Sequence, residues 1–351
     1  MASRSQRKSP IGKVVARWVV TAALPFLFTA TVRAQDAPLI SGAAGFISTT
    51  SGGATFFQPV IAPVADIPLG DKFLFEARAD LCGFIVRQNF TSGPYEGQFF
   101  ATMDYAQLDY LANKHLTLTV GRFLTPFNTY NERLTAIWIR NLPDVPLIYT
   151  IGTRTAGSSD GVMARGVAAS SSSVEWNYAA YFSANSTISQ IPSGRAAGFR
   201  SGLFFPHQQL EIGGSYQRFL QDTHMNIGGF YAWWVPTDVP VQVRSEFADS
   251  RQGHGYWVEG TFRFTRKNQL TNFASRVQPL VRVQQFFRGS LPGGSLPLAD
   301  TNAADVGLNV LLPQDVRLSS SYSRQFSSTG DFNVWNVALT YRFMLPLAGR
   351  Q

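Results

Sequence analysis

The chain has 351 residues, of which 45% are hydrophobic and only 15% charged, with 13% aromatic and 30 glycines. That charge content is well below the roughly 25% of soluble domains, and no long apolar run marks a helical membrane protein, so both classes are disfavoured. The formal net charge of +8 does not indicate nucleic-acid binding, because six of the basic residues (Arg4, Arg7, Lys8, Lys13, Arg17, Arg33) fall in residues 1–34, where there is no acid.

Residues 1–17 are a basic stretch, and Trp18–Val32 follows as an uncharged run broken by Pro25. It is too short for a bilayer, which needs about 20 apolar residues. Val32 and Ala34 place small residues at the −3 and −1 positions, so residues 1–34 read as a secretory signal. The mature chain, 35–351, then holds a single cysteine, Cys82, and no internal disulfide is expected.

From Leu39 onward the sequence alternates with period two, the signature of strands. Strands are expected at 54–68, 71–87, 98–112, 115–128, 157–168, 172–184, 196–205, 208–220, 223–235, 239–249, 253–266, 275–288, 301–312, 316–326 and 330–344. In the last, Trp335, Val337 and Leu339 fall on one face and Asn336 and Arg342 on the other. A soluble sandwich also alternates. Here the apolar faces are aromatic near strand ends, as in the girdles of membrane barrels. The connections also alternate between short turns (Leu69-Gly70, Asn113-Lys114, Pro206-His207, Pro236–Asp238, Pro313–Asp315) and long loops near 88–97, 129–156, 185–195 and 289–300. Both chain ends must lie on one side of such a barrel, which requires an even count. Leu39–Thr50 supplies the missing first strand. The expectation is an all-β fold, a transmembrane antiparallel β-barrel of 16 strands, with 14 or 18 as alternatives.

The longest connection, 129–156, carries Ile137, Trp138, Ile139, Leu142, Val145, Leu147, Ile148 and Tyr149, which need a surface to pack on. Either it folds into the barrel mouth and narrows a pore, or it latches onto a neighbouring subunit. Leu134–Leu142 is the candidate short helix, ended by Pro143. Glu132, Arg133, Arg140 and Asp144 are the candidate charges at the constriction. Facing the lumen are Arg78, Arg200, Arg244, Arg263, Arg282, Arg317 and Arg342, opposed by Glu76, Asp80, Glu175, Glu211, Glu246, Glu259 and Asp305. Seven against seven predicts no net field, and inward charge predicts a wet lumen.

Val120–Leu134, VGRFLTPFNTYNERL, after Thr102–Thr119, TMDYAQLDYLANKHLTLT, resembles bacterial porins of the phosphate-selective porin O and P type. The resemblance covers about 35 residues. It implies a sixteen-stranded, trimeric outer-membrane porin. It does not carry phosphate selectivity, which rests in that family on dense Arg and Lys ladders, whereas this chain has three lysines after Ala34 (Lys72, Lys114, Lys267).

Gly157-Ser158-Ser159-Asp160-Gly161 matches the G-x-S-x-G pattern, but that motif needs a strand before it and a helix after it. The expected sequence here is loop and then strand. No metal motif occurs. The expected function is therefore passive diffusion of small hydrophilic solutes or ions across the bacterial outer membrane, with outer-membrane lipid and a homotrimer as partners, no cofactor, no catalysis and no nucleic acid. The alternatives are a barrel enzyme of lipid-hydrolase type and a plugged structural barrel.

Overall fold

The computed structural model describes residues 38–149, 157–221, 224–264, 273–291 and 296–346. The expected signal, 1–34, lies outside them, as does the end of the long loop, 150–156. Sixteen strands form one closed antiparallel barrel in which each strand pairs with its sequence neighbours. They are β1 Leu39–Ser51, β2 Ala54–Pro68, β3 Phe73–Arg87, β4 Tyr95–Asn113, β5 Leu116–Leu124, β6 Ser158–Ser170, β7 Glu175–Ala184 and β8 Ala196–Phe205. The second half holds β9 Leu210–Phe219, β10 Asn226–Trp234, β11 Val241–Ser250, β12 Gly253–Phe262, β13 Val277–Arg288, β14 Thr301–Leu311, β15 Val316–Ser327 and β16 Phe332–Pro346.

The weakest expected strand closes the ring. β1 pairs with β2 along one edge and with β16 along the other, from Leu39↔Pro346 to Ser51↔Val334. Closure leaves no sheet edge along this seam. Gly121, in the middle of β5, has φ +120°, and a Cβ there would sit 2.5 Å from the Ala106 carbonyl oxygen of β4. Only glycine admits that approach.

Two expectations need correction. β5 stops at Leu124 rather than 128, because the chain turns inward there. The alternation of loop lengths holds only in part. At the end of the barrel away from the chain ends, β1–β2, β11–β12 and β15–β16 are joined by short turns. At the end carrying the chain ends, β12 and β13 are separated by 263–276, which includes the short helix Phe273–Arg276.

The alternation predicts the two faces correctly. On β16, Trp335, Val337, Leu339 and Tyr341 are exposed outward, while Asn336, Ala338 and Thr340 are buried inward. Exposed outward aromatics gather near both rims: Tyr256, Tyr322 and Phe326 at one, Phe73, Trp176, Phe262 and Tyr341 at the other. Polar tips among the outward aromatics bond to neighbouring strands, as where Trp335 Nε1 donates to Ser320 Oγ at 3.2 Å and Trp176 Nε1 to Ser201 Oγ at 2.7 Å. Apolar bodies with satisfied polar tips suit a lipid–water boundary. An arginine at Val337 should therefore cost about 2–4 kcal/mol if it meets the bilayer midplane. Asn177→Arg, on the inner face beside Glu211, should cost at most about 1 kcal/mol. Urea refolding of the two variants in lipid checks this, and equal losses would mean the faces are misassigned.

Candidate functional site: a loop pinned across the lumen

The connection 125–157 leaves the top of β5 and runs inside the barrel. Its front is held by a carboxylate on the far wall. Glu246 of β11 is 1% exposed, and its Oε1 accepts from Thr129 N at 3.0 Å, Thr129 Oγ1 at 2.7 Å and Tyr130 N at 2.9 Å. These are the free donors at the start of a one-turn helix, Tyr130–Leu134. Thr129 itself makes no side-chain cap, so a strand residue takes the place of the usual local cap. Asn128 N donates to Ser215 Oγ at 2.8 Å and Asn128 Nδ2 to the Phe247 carbonyl at 3.0 Å.

The helix is thus not at Leu134–Leu142, as expected. That stretch instead crosses the lumen with a turn at Ala136–Arg140, where the Ile139 and Arg140 amides donate to the Ala136 carbonyl. Ile137 packs on Ile47 of β1 and Ala338 of β16, with Trp138 and Val60 beside them. The Arg78 guanidinium lies 5.8 Å from the Trp138 ring centroid.

The back of the loop is fixed as firmly. Asn141 Nδ2 donates to Glu259 at 2.6 Å, and Asn309 Nδ2 to the Asn141 carbonyl at 3.0 Å. Leu147 N donates to Gln284 Oε1 at 2.8 Å. Arg282, 1% exposed, joins Asp305 of β14 at 2.7 Å to Asp144 of the loop. An apolar cluster backs these contacts: Phe127, Tyr130, Leu134, Leu147, Ile148 and Tyr149 pack on wall residues that include Tyr231, Trp233, Trp257 and Phe286. The Tyr130 ring stacks on Tyr149 at 4.8 Å and meets Trp257 edge-on at 5.8 Å. Burial pushes the Tyr130 hydroxyl up to about 12, so it stays neutral.

Three of the four candidate constriction charges are therefore anchors. Glu132 pairs with Arg200 of β8. Arg133 forms a two-pronged bond to Glu211 of β9, at 2.6 and 3.1 Å. Asp144 pairs with Arg282. Arg140 alone of the four makes no ion pair within 4.0 Å among the described residues. Of the lumen arginines, Arg78 pairs with Asp104 at 2.6 Å. Arg244 lies 5.0 Å from the Trp233 ring centroid. Arg317 Nη2 donates to the Ile137 carbonyl at 2.6 Å. Arg263, just past β12, and Arg342 on β16 are exposed.

Sequence reasoning missed a lumen pair, Arg165–Asp109 at 2.7 Å. It also gave no sign that Arg122 lies on the outer row. There Arg122 pairs with Asp160 at 2.8 Å and donates to the Met103 and Pro192 carbonyls. Each of these residues was visible in the alternation, but their partners were not.

The loop covers one side of the inner wall. Glu246, Arg282 and Asp305 beneath it are each 1% exposed, whereas the side chains of Arg133 and Arg165, toward β3–β9, are 39% and 36% exposed. At the rim above the loop, a cavity of about 480 Å³ is lined by Thr49, Gln58, Arg140, Gln284, Gln325 and Asn336, among others.

The G-x-S-x-G stretch opens β6 rather than a helix. Ser159 shares a hydrogen bond with Thr125 Oγ1 at 2.8 Å, and Ser158 donates to the Asp104 carbonyl. His115 bonds the Val167 carbonyl near the other end of β6. Among the described residues no group of three or more His, Cys, Asp or Glu converges as a metal site.

No protein-family model matches the chain, and no curated protein matches its sequence. Its structure is similar to that of Salmonella typhi OmpF in complex with daunomycin, with a TM-score of 0.58 and 12% identity over 89% of this chain and 99% of the other. Pseudomonas putida OprB at low pH gives 0.56 and 8%, over 88% and 93%. A mutant of the Rh. blastica porin gives 0.53 and 12%, over 87% and 100%. The likeness is one of fold: the chain shares the closed antiparallel barrel of bacterial porins.

Proposed function

We propose that the chain is an outer-membrane porin that passes small hydrophilic solutes or ions by passive diffusion. The observation that carries this reading is the loop. It is pinned inside a barrel that is apolar outside and charged inside, and beside it the side chains of Arg133 and Arg165 stay 39% and 36% exposed. A water-filled gap between loop and wall would filter solutes by size and local charge. Arg133, Arg140, Glu132 and Trp138 stand at its edge. Recording from the refolded protein in a planar bilayer tests this. Discrete conductance steps are expected, and a sealed bilayer at all voltages would refute it.

The support extends to general porins. The phosphate-selective type has only the likeness over Thr102–Leu134 behind it. We place signal cleavage after Ala34, and the mass of the protein recovered from outer membranes reads that site directly. We further place the chain in a homotrimer. The outward rows of β1–β3 place small residues and prolines (Ala44, Pro59, Pro63, Ala77, Ala79, Gly83) among the exposed Phe46, Ile61 and Phe73, an apolar wall suited to a second barrel. Crosslinking in native outer membranes should give trimers, and monomers alone would contradict it.

A further inference from the structure

The even tally of lumen charges does not survive pairing. Arg78, Arg133, Arg165, Arg200 and Arg282 each hold a carboxylate within 4.0 Å. Arg140 and Arg317 hold none among the described residues, and each has a buried Nε without a hydrogen-bond partner. Arg317 of β15 donates to the Ile137 carbonyl in the turn that carries Arg140, and it is in register with Thr340 of β16, two residues from Arg342 on the same face, so the three cations share one stretch of the inner wall. Its one hydrogen bond, to the Ile137 carbonyl, uses Nη2 and leaves the charge uncompensated. Asp80 of β3 makes its ion pair with Arg78, at 4.0 Å, and Arg78 in turn holds Asp104 at 2.6 Å. Arg342 is exposed at the chain-end side of the lumen, so the group opens to solvent. On the other side Arg140 lines the 480 Å³ cavity.

Three neighbouring cations without a carboxylate partner repel, and burial makes that repulsion stronger. An anion between them would remove the repulsion and give the two orphaned Nε–H groups an acceptor. Guanidinium forks match planar or tetrahedral oxyanions, each fork offering parallel donors. Arg244, also without a carboxylate within 4.0 Å, is a weaker candidate because the Trp233 ring covers it.

We propose that Arg140, Arg317 and Arg342 form a binding site for a small oxyanion inside the barrel, reached from both rims. This deepens the porin reading, on which it rests for the route to the site. Carboxylate and sulfate share the chemistry, so both are probes. Isothermal titration of the folded protein in detergent with succinate, and separately with sulfate, reads binding without any need for conductance. Saturable binding is expected for the native protein. It should fall at least tenfold in Arg140→Gln/Arg317→Gln and stay unchanged in Arg324→Gln, which lies at the outer rim beside Asp331. The stronger of the two anions identifies the class. In bilayers, the same anion should reduce the chloride current of the native channel and not that of the double variant. Absence of binding to a native protein that conducts overturns the site and leaves the porin reading standing. Binding by a protein that never conducts keeps the site and overturns the porin. Equal binding by the native protein and the double variant, both folded by circular dichroism, overturns the assignment to these arginines.

Discussion

Glu246→Ala raises the mean conductance and the current noise of the refolded channel while the barrel stays closed. The carboxylate holds three donors at the front of the loop, two of them backbone amides that start a helix. Removing it leaves those donors buried without an acceptor, and hydrogen bonds to charged groups contribute about 1.5–3 kcal/mol each. They act as one cluster and do not add, so we expect docking of the front of the loop to weaken by about 3–5 kcal/mol. Glu246→Gln keeps an acceptor oxygen at the same place and should cost about 1 kcal/mol. Limited proteolysis of the refolded protein separates the two variants, with cleavage within 129–149 in the alanine variant and resistance in the glutamine one. Unchanged noise and unchanged protease resistance in Glu246→Ala would show that the apolar cluster holds the loop unaided.

Arg282→Ala should be the most destabilising single change at the back of the loop. Arg282 is 1% exposed and satisfies both Asp305 and Asp144. Its removal leaves Asp305 buried without its cation, a change that costs about 3–5 kcal/mol. Asp144→Asn should cost less, because Arg282 keeps Asp305. Replacing Arg282 and Asp305 together by apolar residues should recover much of the loss, since a buried pair adds little over packed hydrophobics. Urea unfolding followed by tryptophan fluorescence measures all three. The order should hold at high salt, because buried pairs are poorly screened. Equal effects of Arg282→Ala and Asp144→Asn would mean that Asp305 is satisfied by Gln284, 2.8 Å away, without the arginine.

The barrel was legible because each strand carries its own period-two pattern and most turns a Gly, Pro or Asn. Strand limits agree with the expected ranges to within a few residues. β1 was faint because Gly42–Gly45 gives little contrast between faces, and what fixes it is pairing with β16, nearly the whole chain away. The loop's inward course was legible from its apolar content. Its helix was not, since the cap is Glu246, 117 residues from Thr129. The alternation assigns each charge a face, but a count of charges cannot show which of them are paired. Whether Arg133 or Arg140 is free depends on Glu211 reaching the one while Asp144 goes to Arg282 and not to the other, and that is decided by tertiary geometry alone. The same limit hid Arg122, whose neighbours Met103 and Pro192 come from separate segments.

The central claim, that the loop is the obstruction of an otherwise open barrel, is tested most directly by replacing 131–148 with a short Gly/Ser linker and recording single channels beside the native protein. The sheet pairing does not involve these residues, so the barrel should fold with native strand content. The account predicts a larger, ohmic conductance. Unchanged conductance from a folded variant would contradict it and place the narrowest point in the barrel wall.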